Sequence, residues 1–408
     1  MVLRLVSLLA GIGLLLVGIG LLFPVLGLRA AMAQFPVWVT GIVMSAYFAG
    51  FVLGTYVCPA LVRRVGYIRA FATMASVAST MPILHALAVN PWAWGLFRLV
   101  TGFCIVGVYL VVESWLNALA PNAQRGRIFA TYMAVTLVAM ALGQFLILVG
   151  DRVGFVPFAL ASVLLSFAVV PVTLTRVREP AAVQAPHVGL KNLYETSPLG
   201  VVGATASGLL NGAFFGMGAV FAQRVGLSDA GIAAFMGATI IGGAALQWPI
   251  GHLSDRRDRR LVMFWVCTAA AALAAGAMLV AHRSEIALIA IGFFYGGFVF
   301  TIYGLAVAHV NDLIDPSRLL ETTGGLLLMY GLGAALGPTI AGIVMGALGP
   351  GSFLVYSALL LCTTALFAAH RLRSAPRALE ERSAFVPMAG SSQAVLQLDP
   401  RAEPPGSR

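Results

Sequence analysis

The residues best placed to do chemistry are two charges inside one apolar stretch, Arg98 and Glu113 within 92–118. A charge at the centre of a bilayer costs roughly 2.5–3.5 kcal/mol even on permissive scales, so each needs a partner or a water-accessible interior. On one helix they stand about 22 Å apart at 1.5 Å per residue, too far to pair with each other. Arg98, two turns from one end, suits the anionic or polar group of a solute, or the tuning of proton coupling. Glu113, near the other end, suits an ion-paired gate with the basic loop residues Arg64, Arg125 or Arg127. Neutral polar residues in other apolar stretches could line the same interior or tie helices together: Tyr47, Gln144, Asn211, Gln247, Tyr295, Tyr303 and Tyr330. The four cysteines fall in four different stretches without CxxC spacing and read as small apolar residues. Nothing resembles a nucleophile–base set, a phosphate loop or a metal site. Neither enzyme activity nor a cofactor is expected, while proton coupling stays open.

These residues need elements to hold them, and the composition dictates which. Sixty per cent of the 408 residues are apolar and ten per cent charged, against about a quarter charged in a soluble chain. Mean hydropathy is +0.94. Twelve runs are long enough to cross the hydrocarbon core: 5–27, 37–60, 70–89, 92–118, 128–149, 154–175, 199–222, 230–253, 261–281, 286–309, 320–347 and 353–370. They lack the alternation of a barrel strand, so they are helices. Ala31-Met32-Ala33 resembles a signal-peptidase site, but the preceding run exceeds the usual 7–15 residues, and an uncleaved first helix is expected. Trp38, Trp92 and Trp94 open spans and read as interfacial anchors.

Basic residues decide orientation. Fourteen Lys and Arg fall in the gaps and N-terminus on one side, and four fall on the other. The positive-inside rule places both termini in the cytoplasm of a plasma membrane, here a bacterial inner membrane. This distribution also explains the +10 net charge without nucleic acid. A small-molecule substrate, the lipid bilayer and a monomeric state are expected.

The chain repeats itself. Tyr109 matches Tyr303 and Asn117 matches Asn311 at an offset of 194 residues, as 141–143 matches 335–337. An offset of 192 aligns Met44 with Met236, Gly50 with Gly242, and the loop 63–69 with 255–261. Such internal symmetry marks transporters whose halves rock about a central site. The expected organisation is an N-terminal six-helix bundle (1–175), a cytoplasmic linker (176–198), a C-terminal bundle (199–371) and a disordered cytoplasmic tail (372–408).

The loop Gly251-His-Leu-Ser-Asp255-Arg256-Arg257-Asp258-Arg259-Arg260 closely resembles the GxLxDRxGRR motif of the major facilitator superfamily. Asp258 stands where the second glycine is usual, and in the first-half loop Arg63 stands at the Asp position. Arg98-Leu-Val-Thr-Gly102 is similar to the RxxxG element of the same family. Together with Glu113-Ser-Trp-Leu-Asn117, Gln247-Trp-Pro-Ile-Gly251 and Gly337-Pro338, the chain resembles the YcaD-like branch. The resemblance implies an all-α membrane protein of twelve transmembrane helices in two pseudo-symmetric six-helix bundles. It also implies a cytoplasmic gate built from Gly251, Asp255, Arg256, Arg259 and Arg260, joined to Glu113, Arg64, Arg125 and Arg127. The expected function is secondary transport of a small organic solute by alternating access. A non-transporting ligand sensor or a drug or metabolite exporter are the alternatives, the exporter disfavoured because span 5 lacks GxxxGPxxGG.

Overall fold

The computed structural model describes residues 2–121, 124–151, 154–174, 190–314, 319–374 and 385, with side chains except at 2–4, 125, 126, 190 and 319–321. Twelve helices in it are long and apolar enough to cross a membrane. Spans 1 to 6 are Leu5–Met32, Val37–Val65, Tyr67–Leu87, Pro91–Leu119, Arg127–Leu148 and Val156–Thr173. Spans 7 to 12 are Pro198–Arg224, Asp229–Arg256, Arg259–Val280, Glu285–Asn311, Thr322–Leu348 and Ser352–Ser374. Even crossings bring the first and last described helices to one end of the bundle, called here the terminal end. Large apolar side chains such as Leu87, Leu279, Ile286 and Leu366 are exposed on the outside, as a lipid-facing surface requires.

Local chemistry sets the helix starts. The Asn90 side chain accepts from the backbone N–H of Trp92 and Ala93, at 2.9 and 3.2 Å, with Pro91 at the first helical position. Ser197, Ser228 and Ser284 cap spans 7, 8 and 10 in the same way. Between spans 2 and 3 the chain turns at Gly66 with φ of 86°, a left-handed conformation that glycine adopts without strain. Two spans are interrupted. Span 6 breaks between Phe167 and Val169, and span 10 breaks at Phe300.

Helices in lipid gain no hydrophobic drive from each other, so small residues that permit close backbone contact carry the packing. A Cβ at Gly50 would strike the Leu99 carbonyl, and one at Gly102 would strike the Tyr47 carbonyl. Spans 2 and 4 therefore touch backbone to backbone. Spans 8 and 10 repeat the crossing: Gly242 lies against the Phe293 carbonyl and Gly296 against the Thr239 carbonyl. Gly143 against Val17 recurs as Gly337 against Leu209. Every one of these pairs sits at an offset of 192 or 194 residues, so the sequence repeat is a repeat of packing.

One expected anchor is elsewhere. Trp92 and Trp38 are exposed, but Trp94 is fully buried. Its indole N–H donates to the His85 carbonyl at 3.1 Å and its ring meets Phe35 and His85. The capped first turn points Trp94 inward while Trp92 points out.

Overpacking a tight contact costs about 1–3 kcal/mol, and more where backbone cannot yield. Gly102→Val and Gly50→Val are expected to lower sharply the monodisperse protein recovered on size-exclusion chromatography. Gly95→Ala, whose Cβ meets nothing within 4 Å, should match the unsubstituted chain.

Candidate functional site

Between the halves lies a cavity of about 140 Å³. Spans 1, 2, 4, 5, 7, 8, 10 and 11 all contribute to its wall. Aromatic rings dominate: Phe23, Phe48, Phe51, Tyr109, Phe215 and Phe300 join Tyr47, Tyr303 and Tyr330. Neutral polar groups are set among them. Asn211 donates to the Ser207 hydroxyl at 3.3 Å and the Tyr330 hydroxyl at 3.4 Å. Gln247 donates to the Phe300 carbonyl at 3.4 Å, at the break in span 10. None of the described wall residues is charged.

Five of the seven neutral polar residues expected at the site therefore lie on the wall: Tyr47, Asn211, Gln247, Tyr303 and Tyr330. Gln144 instead ties span 5 to span 1, donating to the Gly20 carbonyl at 2.9 Å where Gly20 and Gly143 bring the backbones together. Tyr295 packs against the core and is not among the wall residues. The wall rings of Phe23, Phe48, Phe51, Tyr56, Phe215 and Phe300 carry no distinguishing signal in the sequence, since an aromatic in an apolar run reads alike facing lipid, core or cavity; Tyr109 is marked only by its match to Tyr303 in the repeat.

Arg98 is one layer behind this wall rather than on it. Its side chain is fully buried, and its guanidinium carbon lies 4.5 Å from the Phe23 ring centre and 4.3 Å from that of Tyr47. Both rings form part of the wall. All three guanidinium nitrogens lack a hydrogen-bond partner among the described residues. A buried donor left unsatisfied costs about 1–3 kcal/mol and more when charged, while each cation–π contact returns about 0.5–2 kcal/mol. The rings therefore hold the cation without satisfying its N–H groups.

Glu113 is fully buried toward the terminal end of span 4 and accepts from the Tyr132 hydroxyl at 2.7 Å. Arg64 and Arg127 are exposed at that end. The Arg125 side chain lies outside the described residues.

The loop after span 8 forms a charged cluster. Arg259 is buried; its Nε donates to the Asp312 carboxylate at 2.7 Å and its Nη1 to the Ser254 hydroxyl at 3.0 Å. Asp255 pairs with Arg259 at 3.3 Å and accepts from the backbone N–H of Phe385 at 2.7 Å. The Phe385 ring covers Gly251, leaving no room for a Cβ there. Asp258 caps span 9 through the Arg260 N–H at 2.9 Å and also binds the Arg260 guanidinium at 2.8 Å. That capping role is the physical reason an acid stands where the motif has glycine. Burial alone would push the Asp258 pKa up, but the Arg260 hydrogen bonds and charge hold it below its ordinary value. The pair is therefore present at neutral pH and is lost as pH falls through the lowered Asp258 pKa. Arg256 is exposed. Asp312, at the end of span 10, is the partner the sequence reading did not assign.

The sequence profile of the Major Facilitator Superfamily matches residues 8–310 and 201–398. An uncharacterised MFS-type transporter of Enterobacter sp. (strain 638) is 32% identical over 342 residues, covering 83% of this chain and 88% of the relative. YcaD of Salmonella newport, also an uncharacterised MFS-type transporter, is 29% identical over the same shares. Among solved structures, the nucleoside transporter NupG superposes with a TM-score of 0.75 at 14% identity, covering 92% of this chain and all of that one. A bacterial homologue of the human lysosomal transporter Spinster gives 0.66 at 15% identity, covering 97% and 96%. The chain belongs to the Major Facilitator Superfamily. It is a multi-pass membrane transporter of a small-molecule substrate, not an enzyme.

Removing one partner of a buried ion pair costs about 3–5 kcal/mol, whereas a partly exposed pair contributes about 1 kcal/mol or less. Asp312→Ala should lower the melting temperature of the purified chain far more than Asp255→Ala. Arg259→Leu combined with Asp312→Leu should recover part of the loss.

Proposed function

We propose that this chain is a secondary active transporter that carries a small organic solute through the central aromatic cavity by alternating access. The observation that carries the reading is the one-sided closure of that cavity. Close approaches between the halves cluster at the end opposite the termini. There the Ser45 and Thr339 hydroxyls lie 2.7 Å apart and the Thr339 N–H donates to Ser45 at 3.1 Å. Gly41 sits under the Pro338 carbonyl, Gly342 under the Val37 carbonyl and Gly237 under the Phe145 ring. The wall residues Thr55, Tyr56, Tyr109 and Leu327 extend the cavity toward the terminal end instead.

The excess of basic residues at the terminal end supports a cytoplasmic location for both termini in a bacterial inner membrane. In that orientation the cavity faces inward and the Ser45–Thr339 contact is the closed outer gate. Rocking of the two halves about the site would open it. A cavity with eight contributing spans and neutral polar groups favours solute carriage over a sensor.

The test is a cross-link. Ser45→Cys with Thr339→Cys, in a Cys362→Ser background, should form a disulfide that abolishes solute exchange in proteoliposomes. Reductant should restore it. Exchange at the uncross-linked rate with the disulfide intact would refute alternating access through this gate.

A further inference from the structure

We infer that the solute is an organic monoanion with an apolar, aromatic-sized body, and that Arg98 takes its carboxylate or sulfonate from behind the Tyr47–Phe23 pair. The inference rests on the central cavity being the transport site and names the chemistry of what that site accepts.

Three observations converge. First, Arg98 is a fully buried cation whose N–H groups have no acceptor among the described residues. The Phe23 and Tyr47 rings, 5.1 Å apart and inclined at 76°, approach the guanidinium from one side and accept none of its N–H groups in a conventional hydrogen bond, leaving the fork that a planar carboxylate binds with two parallel hydrogen bonds. Second, the rings that cover it are themselves cavity wall. The Tyr47 ring is therefore the layer between the guanidinium and the solute space, and its side-chain rotation is what would join them. Third, the wall carries no described charge, so an anion there has Arg98 as its counter-ion and an apolar body has rings to stack on.

Aromatic-lined sites also bind organic cations through their ring faces. Here the faces of Phe23 and Tyr47 already hold Arg98, and a second cation beside it would meet like-charge repulsion in a low-dielectric setting. A neutral carbonyl could accept one of these N–H groups but would leave the buried charge uncompensated. A carboxylate or sulfonate supplies both the acceptors and the counter-charge.

Thermal unfolding of the purified full-length chain tests this with matched probes. These are benzoate, 2-naphthoate and 4-phenylbutyrate, their sulfonates, their amides, and the corresponding amines. The carboxylates or sulfonates should raise the melting temperature in a saturable manner, and the amides and amines should not. Arg98→Gln should weaken the effect at least about tenfold in apparent affinity, equivalent to about 1.4 kcal/mol. Arg98→Lys, which keeps charge but not the fork, should fall between. Stabilisation by amide or amine equal to that of the anion overturns the inference, as does no stabilisation by any anion in the series. The charge preference of the unsubstituted chain decides this even where a variant is poorly folded. Exchange of the same probes in proteoliposomes separates the two readings. Exchange of a neutral or cationic probe, arrested by the Ser45–Thr339 cross-link, keeps transport and removes the anion. Arg98-dependent binding of an anion that never crosses keeps the anion site and removes the transport route.

Discussion

The backbone contact between spans 2 and 4 is the constraint on which the site depends. Gly50 beneath Leu99 and Gly102 beneath Tyr47 bring the two helices as close as main chains allow. Arg98 precedes Leu99, and Tyr47 lies three residues before Gly50, so the same crossing lays the tyrosine ring over the guanidinium at 4.3 Å. Any side chain at either glycine would part the helices and leave a bare cation in the apolar thickness. The packing rule of lipid-embedded helices is in this way also the rule that makes a buried charge tolerable.

The second half has the frame without the charge. Its crossing uses Gly242 and Gly296, but the positions corresponding to Tyr47 and Arg98 are Thr239 and Gly292. Glu113 corresponds to Val307. Symmetry survives where it sets helix geometry, at glycines against carbonyls, and is lost where it would set chemistry. The wall combines the two: Tyr109 and Tyr303, equivalent in the repeat, both face the cavity, while only the first half places a cation behind it.

The fold was legible because lipid leaves a chain few choices. Span number, the repeat and the loop motif all follow from long apolar runs, recurrent glycines and clustered arginines. Span ends were less legible: span 1 continues to Met32, beyond the 5–27 read from hydropathy. The breaks at Ala168 and Phe300 were not expected either, since intramembrane breaks depend on neighbours that satisfy the freed backbone. At the site, residue type singled out Arg98 but not its depth behind Tyr47. Polar residues were named without their direction, so Gln144, bound to the Gly20 carbonyl, looked the same as Asn211 on the wall. Asp258 departed from its motif, and only the geometry shows that it caps span 9.

The charged cluster after span 8 completes the mechanical picture. Arg259 joins the start of span 9 to Asp312 at the end of span 10 and to Asp255 at the end of span 8. Arg260 reaches the Arg371 carbonyl in span 12 at 3.2 Å. These bonds fasten parts of the second half to one another, just as the glycine crossings fasten each half internally. Between the halves, the described polar contacts of the closed end are Ser45 with Thr339, and the remainder are small residues against carbonyls and rings. Among the described contacts, the closed end is a weakly polar seam of one hydroxyl pair and small residues, while the second half is braced by buried ion pairs. Strong bonds within a half and weak ones at such a seam suit a rocking exchange between the two sides of a membrane.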